Sequence, residues 1–253
     1  MSARVTNEMR NTDRDWETIA EKAPYYGVLV HEKFRNPTAA ALDEFFATGE
    51  NDIQTILATV RAQLGPFNPR SALDFGCGPG RQLIPIARET GDAYGVDISD
   101  RMLELARRHI AEAGVNAIVG KDFPDRQFDW VNSSIVMQHI PPRRGYKIFR
   151  RLWQALSIKG VISIHFTIYH DSGPTEELMR DLMRYSYDGE RVTNYMDTSA
   201  GALGSMFMYD YDLSRVFSEF DFPDGQPVHL VKTIHGSSHG VMLYARKTAS
   251  TPE

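Results

Sequence analysis

The sequence predicts an α/β protein: a mostly parallel sheet with helices on both faces, ended by an antiparallel hairpin. Three observations carry this. Strand-like apolar runs alternate with helical periodicity between residues 71 and 166, the pattern of a parallel sheet buried on both sides. A glycine-rich stretch, "LDFGCGPGRQ" (Leu73–Gln82), joins the first of those strands to the helix after it. Near the C-terminus two more strand-like runs, 227–234 and 239–246, are linked by "HGSSHG", a connection too short for parallel neighbours.

The elements follow in order. Residues 1–12 are polar and read as frayed, and Asp13 to Lys22 predict a short helix carrying Trp16, Ile19 and Ala20. "APYYGVLVHEKF" reads as an aromatic, non-helical passage. Thr38 is placed to cap a helix over "AAALDEFFAT" that stops at Gly49. Ile53, Ile56, Leu57, Val60 and Leu64 recur at helical spacing and predict a further helix that packs by one face. "GPFNPRS" (65–71) is turn chemistry, so residues 1–65 read as an N-terminal helical cap and 66–253 as the main domain. Strands are predicted there at 71–75, 93–97, 116–119, 128–133 and 160–166, with helices at about 80–90, 100–113 and 143–157. With the hairpin this makes a seven-stranded sheet.

The segment 171–215 breaks that rhythm. It holds five of the ten methionines and five of the eleven tyrosines. A packing layer would account for them, but methionine adapts to irregular ligands and tyrosine joins an apolar body to a polar tip. Ligands of such sheets bind beyond the carboxyl ends of the strands, so the segment is expected to be a substrate lid.

Composition bounds the function. With 253 residues, 42% hydrophobic and 24% charged, the chain has the make-up of a globular protein with a full core. A formal charge of −5 offers no general attraction to nucleic acid or anionic lipid. One cysteine, Cys77, excludes an intramolecular disulfide. No apolar run is long enough to span a bilayer, and the first residues lack the apolar stretch of a signal peptide. A soluble, cytoplasmic protein is expected, without nucleic acid or membrane partners.

Glycines at alternate positions are needed where a loop bends sharply and exposes its amides to a ligand. The dinucleotide fingerprint requires a small third residue three positions after its second glycine, and that position holds Arg81. The third glycine here is Gly80, giving G-x-G-x-G, with Asp74 two residues ahead of Gly76. The second strand ends in Asp97, where a carboxylate can take both hydroxyls of a ribose. Two acids beside a short glycine loop suit a cationic ligand without phosphate; a pyrophosphate would be repelled.

"LDFGCGPG", "YGVDIS", "KDF" and "FDWVNSSIVMQHIP" closely resemble the successive motifs of class I S-adenosylmethionine-dependent methyltransferases, over roughly residues 65–170. "HGVMLYARK" is similar to that family's last antiparallel strand. The resemblance implies a Rossmann-like seven-stranded sheet and S-adenosyl-L-methionine as cofactor. It also implies roles: Gly76, Gly78 and Gly80 under the methionine part, with Asp74 near its amino end; Asp97 on the ribose hydroxyls; Ile98 and Met102 along the adenine. Asp122 would accept from the adenine amino group beside the Phe123 amide, and Ser133 would lie by the transferable methyl. In similar enzymes an N-terminal tyrosine reaches the methionine carboxylate, which makes Tyr25 and Tyr26 candidates, with Arg81 a second choice. The stretch between Asp122 and Phe128 is short for the family. That leaves the shape of the adenine pocket open.

Other polar residues are weighed beside these. Asp74 reads as a strand-end cap or a cofactor contact; the loop that follows favours contact. Cys77 belongs to the same cofactor-binding stretch, as a small filler rather than a nucleophile. His165 and His170, five apart, fall on opposite faces of a strand, and with His235, His239 and Asp171 they make no persuasive metal site. "RRGYKIFRR" (143–151) reads as a solvated helix face with Ile148 and Leu152 inside. Asn132-Ser133-Ser134-Ile135 stands where enzymes acting on DNA base amino groups carry Asn/Asp-Pro-Pro-aromatic. A small-molecule acceptor, such as a sugar, a lipid-linked sugar or a natural-product scaffold, is the remaining reading. His139, after the fourth strand and braced by Pro141 and Pro142, is the candidate base, with packing or loop orientation the plainer role. A non-catalytic S-adenosylmethionine-binding protein and a nicotinamide-dependent oxidoreductase are the rival functions.

Overall fold

In the computed structural model the described residues are 12–170, 183–187, 192–196, 208–219, 227–236 and 238–248. Three helices come first: α1 (Thr12–Lys22), α2 (Pro24–Val28) and α3 (Ala39–Leu64). The alternating part is β1 (Ala72–Phe75), α4 (Leu83–Thr90), β2 (Ala93–Val96), α5 (Asp100–Ala113), β3 (Ala117–Gly120), β4 (Phe128–Ser133), α6 (Pro142–Gln154) and β5 (Leu156–His170). After it come β6 (Met183–Tyr187), β7 (Val192–Met196), β8 (Met208–Tyr209), α7 (Leu213–Glu219), β9 (Val228–His235) and β10 (Ser238–Arg246).

The main sheet has seven strands in the order β3-β2-β1-β4-β5-β10-β9. The first five are parallel. β10 runs antiparallel to both β5 and β9, as the short connection required. β5 extends well past the expected 160–166, because β10 pairs with it from Ser238↔His170 to Arg246↔Val161.

Side chains alternate across the centre of this sheet, past a register shift between Phe128 and Trp130 on β4. Ala72, Trp130, Val161 and Met242 enter one core with α3, α4 and α5. Leu73, Val131, Ile162 and Leu243 enter the other with α6 and α7. That period of two, apolar on both faces, is why these strands read as continuous hydrophobic runs. Local chemistry sets the helix ends: Ser99 Oγ accepts from the Met102 amide at 3.1 Å to cap α5, and Gly114 closes the same helix at φ 63°.

Two expectations for the N-terminal part are corrected. "APYYGVLVHEKF" is not irregular: Pro24 starts a short helix, its fixed φ suiting the first turn, and Glu32–Phe34 form a 3-10 turn. Nor does the chain break at Gly49. α3 is one helix of 26 residues, capped by Thr38 and ending at Gly65, with Gly49 buried inside it. A Cβ at Gly49 would run into the backbone carbonyl of Arg81. Glycine is there so that α3 can lie against the loop before α4.

The expected lid over 171–215 lies largely outside the described residues. Its described strands are β6, β7 and β8, which form a three-stranded antiparallel sheet. Tyr211 is buried, and its hydroxyl donates to the Ile140 carbonyl at 2.8 Å.

Gly49→Ala separates helix propensity from close packing. Alanine favours a helix interior by about 1 kcal/mol, yet the collision with Arg81 should produce a net loss of about 1–3 kcal/mol. Urea unfolding of the variant measures this; stability at or above the parent's would show that α3 does not need the glycine.

Candidate active site

The strand ends and loops on the carboxyl side of the sheet enclose a cavity of about 500 Å³, within the usual range for small-ligand sites. Phe75 at the end of β1, Val96 at the end of β2 and Ser134 just past β4 all reach it. It therefore lies where β1 and β4 adjoin and the crossovers part to opposite faces, the switch point at which such sheets bind ligands.

The glycine loop forms one wall. Gly76, Gly78 and Gly80 take φ of 74°, 52° and 94°, a region that L side chains avoid. The Gly76 and Cys77 amides donate to the Val96 carbonyl at 2.7 and 3.0 Å, hooking the loop to β2. The Gly78 amide donates to Asp97 Oδ2 and the Ser99 amide to Asp97 Oδ1, both at 2.9 Å. Each carboxylate oxygen so held keeps a lone pair for a ligand. Burial pushes the Asp97 carboxyl up despite those two bonds.

Nine of the fifteen residues singled out from the sequence line this cavity: Gly76, Gly78, Arg81, Asp97, Ile98, Met102, Asp122, Phe123 and His139. Ile98 is an exposed apolar side chain on its wall. Phe123 stacks on Phe75 with centroids 5.6 Å apart. Arg81 is ion-paired with Asp52 of α3 at 2.6 Å and meets Thr48 Oγ1 at 3.1 Å. His139 ends a 3-10 turn, Met137–His139. Its ring is buried, edge-on to Trp16 at 4.8 Å, and its Nε2 lies 3.2 Å from Gln138 Nε2. Gln138 Oε1 in turn accepts from Thr167 Oγ1 at 2.7 Å.

Six expected residues do not line it. Tyr25 and Tyr26 turn away: the Tyr25 hydroxyl meets His109 Nε2 at 3.1 Å, and Arg35 lies over the Tyr26 ring at 3.8 Å. From that part of the chain it is Thr12, Asp13, Trp16, Gly27 and Val28 that reach the cavity. Ser133 is fully buried and donates to the Phe75 carbonyl at 3.0 Å, tying β4 to β1. Its neighbours Ser134, Ile135 and Val136 take the wall instead, with Ile135 held at φ 59°, a conformation costly for a β-branched residue. Cys77 is buried, packed against Gly95, and Gly80 faces Ile84 and Ala106.

Asp74 is the sixth, and it belongs to a buried polar chain. Its Oδ1 accepts from Asn132 Nδ2 at 2.9 Å, which also donates to Gln82 Oε1 at 3.1 Å. Asn132 Oδ1 accepts from Ser163 Oγ at 2.8 Å, and Ser163 Oγ accepts from Trp130 Nε1 at 2.9 Å. Gln82 Nε2 then donates to Asp52 at 3.0 Å. Burial pushes the Asp74 carboxyl up to about 6, against the Asn132 bond and the nearby Arg81 charge. This chain was not foreseen, although its signal stood in the sequence as lone polar residues inside apolar strands. The register brings them level: Asp74↔Asn132 and Asn132↔Ser163.

A second correction concerns α6. The run 143–151 is not only a solvated face, since Arg144, Lys147, Ile148 and Arg151 line the cavity. Among the described residues no group of three or more His, Cys, Asp or Glu side chains could hold a metal ion. His165 faces β9, its Nε2 2.8 Å from Thr233 Oγ1, and burial pushes it down to about 3. No helix among the described residues is long and apolar enough to cross a membrane.

A parallel five-stranded core, a reversed hairpin and a glycine loop clamped by the acid at the end of β2 define the fold of class I S-adenosylmethionine-dependent methyltransferases. Solved structures share it. Magnesium protoporphyrin IX methyltransferase from Synechocystis PCC 6803, with bound SAH, superposes at a TM-score of 0.59 and 15% identity, over 92% of this chain and 99% of that one. An S-adenosylmethionine-dependent methyltransferase from Clostridium acetobutylicum ATCC 824 does so at 0.54 and 13%, over 88% and 96%. Residues 72–160 match the family described as Methyltransferase domain. Trans-aconitate 2-methyltransferase from Methylobacterium radiotolerans is 34% identical over 115 residues, 44% of this chain and 43% of that protein. Phosphoethanolamine N-methyltransferase 2 from Caenorhabditis elegans is 32% identical over 111 residues, 40% of this chain and 25% of that protein. The chain thus spans less than half the length of these curated relatives.

Asp74 yields a test by pH. Its carboxyl is raised from the unfolded value of about 4, so the fold binds the proton more tightly than the unfolded chain. Stability therefore falls as pH rises from about 4 to about 6 and is level above that. Asp74→Asn keeps the oxygen that accepts from Asn132 and carries no charge. Relative to this variant, the parent should lose about 2–3 kcal/mol between pH 4 and 7 in denaturant unfolding. Parallel pH profiles would show Asp74 ionised without cost.

Proposed function

We propose that the chain transfers a methyl group from S-adenosyl-L-methionine to an oxygen or nitrogen of a small molecule. The observation that carries this is Asp97, whose two oxygens are each fixed by one backbone amide at the rim of a cavity lined by the glycine loop. A half-buried carboxylate so oriented fits a pair of ribose hydroxyls, and Ile98, Met102 and Phe123 offer apolar surface for a base beside it. Asp122 lies on the same wall for the amino group. Bound there, S-adenosylmethionine supplies a methyl group already activated on a sulfonium.

The protein's own task is then to position the acceptor and keep water out. Trp16 of α1 and the Ser134–Val136 turn close the cavity beyond the glycine loop. Tyr25 and Tyr26 take no part in this reading, and Arg81, already paired with Asp52, holds the loop to α3. In this reading His139 takes the proton of a hydroxyl acceptor; the contacts of its ring with Trp16 and with Gln138, which Thr167 bonds in turn, support that role. Relatives named for trans-aconitate and phosphoethanolamine support a small acceptor without singling out a sugar or a natural-product scaffold.

Two measurements test this. In calorimetry, Asp97→Ala should bind S-adenosylmethionine about ten- to a hundredfold more weakly, the worth of a charge-assisted hydrogen bond. Parent-like affinity in a folded variant would remove the ribose assignment. In single-turnover transfer of labelled methyl, His139→Ala should bind cofactor normally and lose about 10²–10⁴ in rate. A rate within a few-fold of the parent's would leave His139 as a packing residue.

A further inference from the structure

The charges around the cavity do not cancel in place. Arg81 is paired with Asp52, Lys121 with Asp100 and Arg144 with Asp13. The carboxylates that stay open are Asp97 and Asp122, both at the cofactor wall. Lys147 and Arg151, which also line the cavity, stand one turn apart on α6 and have no carboxylate partner among the described residues. In a chain of net charge −5, two uncompensated cations facing one cavity are a site of opposite sign.

Both side chains are exposed, on the side of α6 opposite Phe149, Leu152 and Trp153, which are buried in the core. The Arg151 guanidinium lies over the Phe123 ring at 4.4 Å. That contact fixes its plane and leaves its N–H edge free for a two-point contact with a planar or tetrahedral oxyanion. Ile148 lines the cavity beside the two cations. Lys147 adds a mobile point charge one turn away.

We infer that the methyl acceptor carries an anionic oxygen group, a carboxylate or a phosphate, held by Lys147 and Arg151. The inference rests on the methyltransferase reading and gives its acceptor a chemical class. It concerns recognition and adds no chemical step.

The test uses the full chain saturated with S-adenosylhomocysteine, titrated by calorimetry with tricarballylate and, separately, with glycerol 2-phosphate. The parent should bind one of them, and which one distinguishes carboxylate from phosphate. Lys147→Gln/Arg151→Gln removes both charges and leaves shorter, neutral polar side chains in their place. It should lose about tenfold or more in affinity for that probe, with S-adenosylhomocysteine affinity within about twofold of the parent's. Parent binding should also weaken with added salt, and the variant's residual binding should not. Three results would overturn the inference: neither probe binds the parent, the double variant binds the probe as well as the parent does, or cofactor affinity falls as far as probe affinity. The third would assign the two cations to the cofactor's own carboxylate. A parent that fails to bind S-adenosylhomocysteine at all would instead remove the methyltransferase reading beneath it.

Discussion

One side-chain amide ties the strands beneath the site together. Asn132, on β4 at the centre of the seven-stranded sheet, donates to a buried Asp74 and to Gln82, and accepts from Ser163. Through these bonds β1, β4 and β5 are joined side chain to side chain as well as by their backbone ladder, and through Gln82 and Asp52 the tie extends to α3. A buried carboxylate without such a donor would carry its full desolvation cost. Remove the amide and the glycine loop loses the floor on which its turn is built.

The loop above that floor is fixed by further contacts of its own. Its glycines are conformationally free, so the native turn is selected by contacts: two amides on the Val96 carbonyl, one on Asp97, and the Arg81 carbonyl resting against Gly49. α3 therefore acts as a clamp, with Asp52 and Thr48 gripping Arg81 and the glycine between them allowing close approach. The ligand wall is rigid because helix, loop and two strands all constrain it. The strain at Ile135, on the opposite lip, is sustained by the same packed surroundings.

Charge around the cavity is uneven. Asp97 and Asp122 stand where β2 and β3 end, beside Lys121 paired with Asp100, while the cations without a carboxylate partner among the described residues stand on α6, which crosses to the other face of the sheet. The topology makes this arrangement possible. Because the crossovers leave β1 and β4 on opposite sides, the two walls come from elements far apart in the chain, and each can carry its own charges.

Much of this could be read in the sequence. The alternation of strand and helix, the reversed hairpin, the glycine loop and Asp97 were legible because each is written in local spacing: a period of two, a period of 3.6, a turn too short to cross over. The positive φ values needed at Gly76, Gly78 and Gly80 are likewise properties of neighbouring residues. What misled was equally local. Gly49 looked like a helix stop because glycine costs helix stability, while its reason for being there lies 32 residues away, in the backbone of Arg81. Tyr25 and Tyr26 were promising by type, but a short helix at Pro24 turned them toward α5 and Arg35. The Ser133 hydroxyl is spent on the Phe75 carbonyl and Lys147 reaches the cavity because of how distant elements dock. Sequence determined which segments are strands, helices and turns, since those follow from interactions within a few residues. Which polar groups meet across strands, and which face of α6 looks into the cavity, was decided by register and docking, because those contacts exist only once distant parts of the chain are packed together.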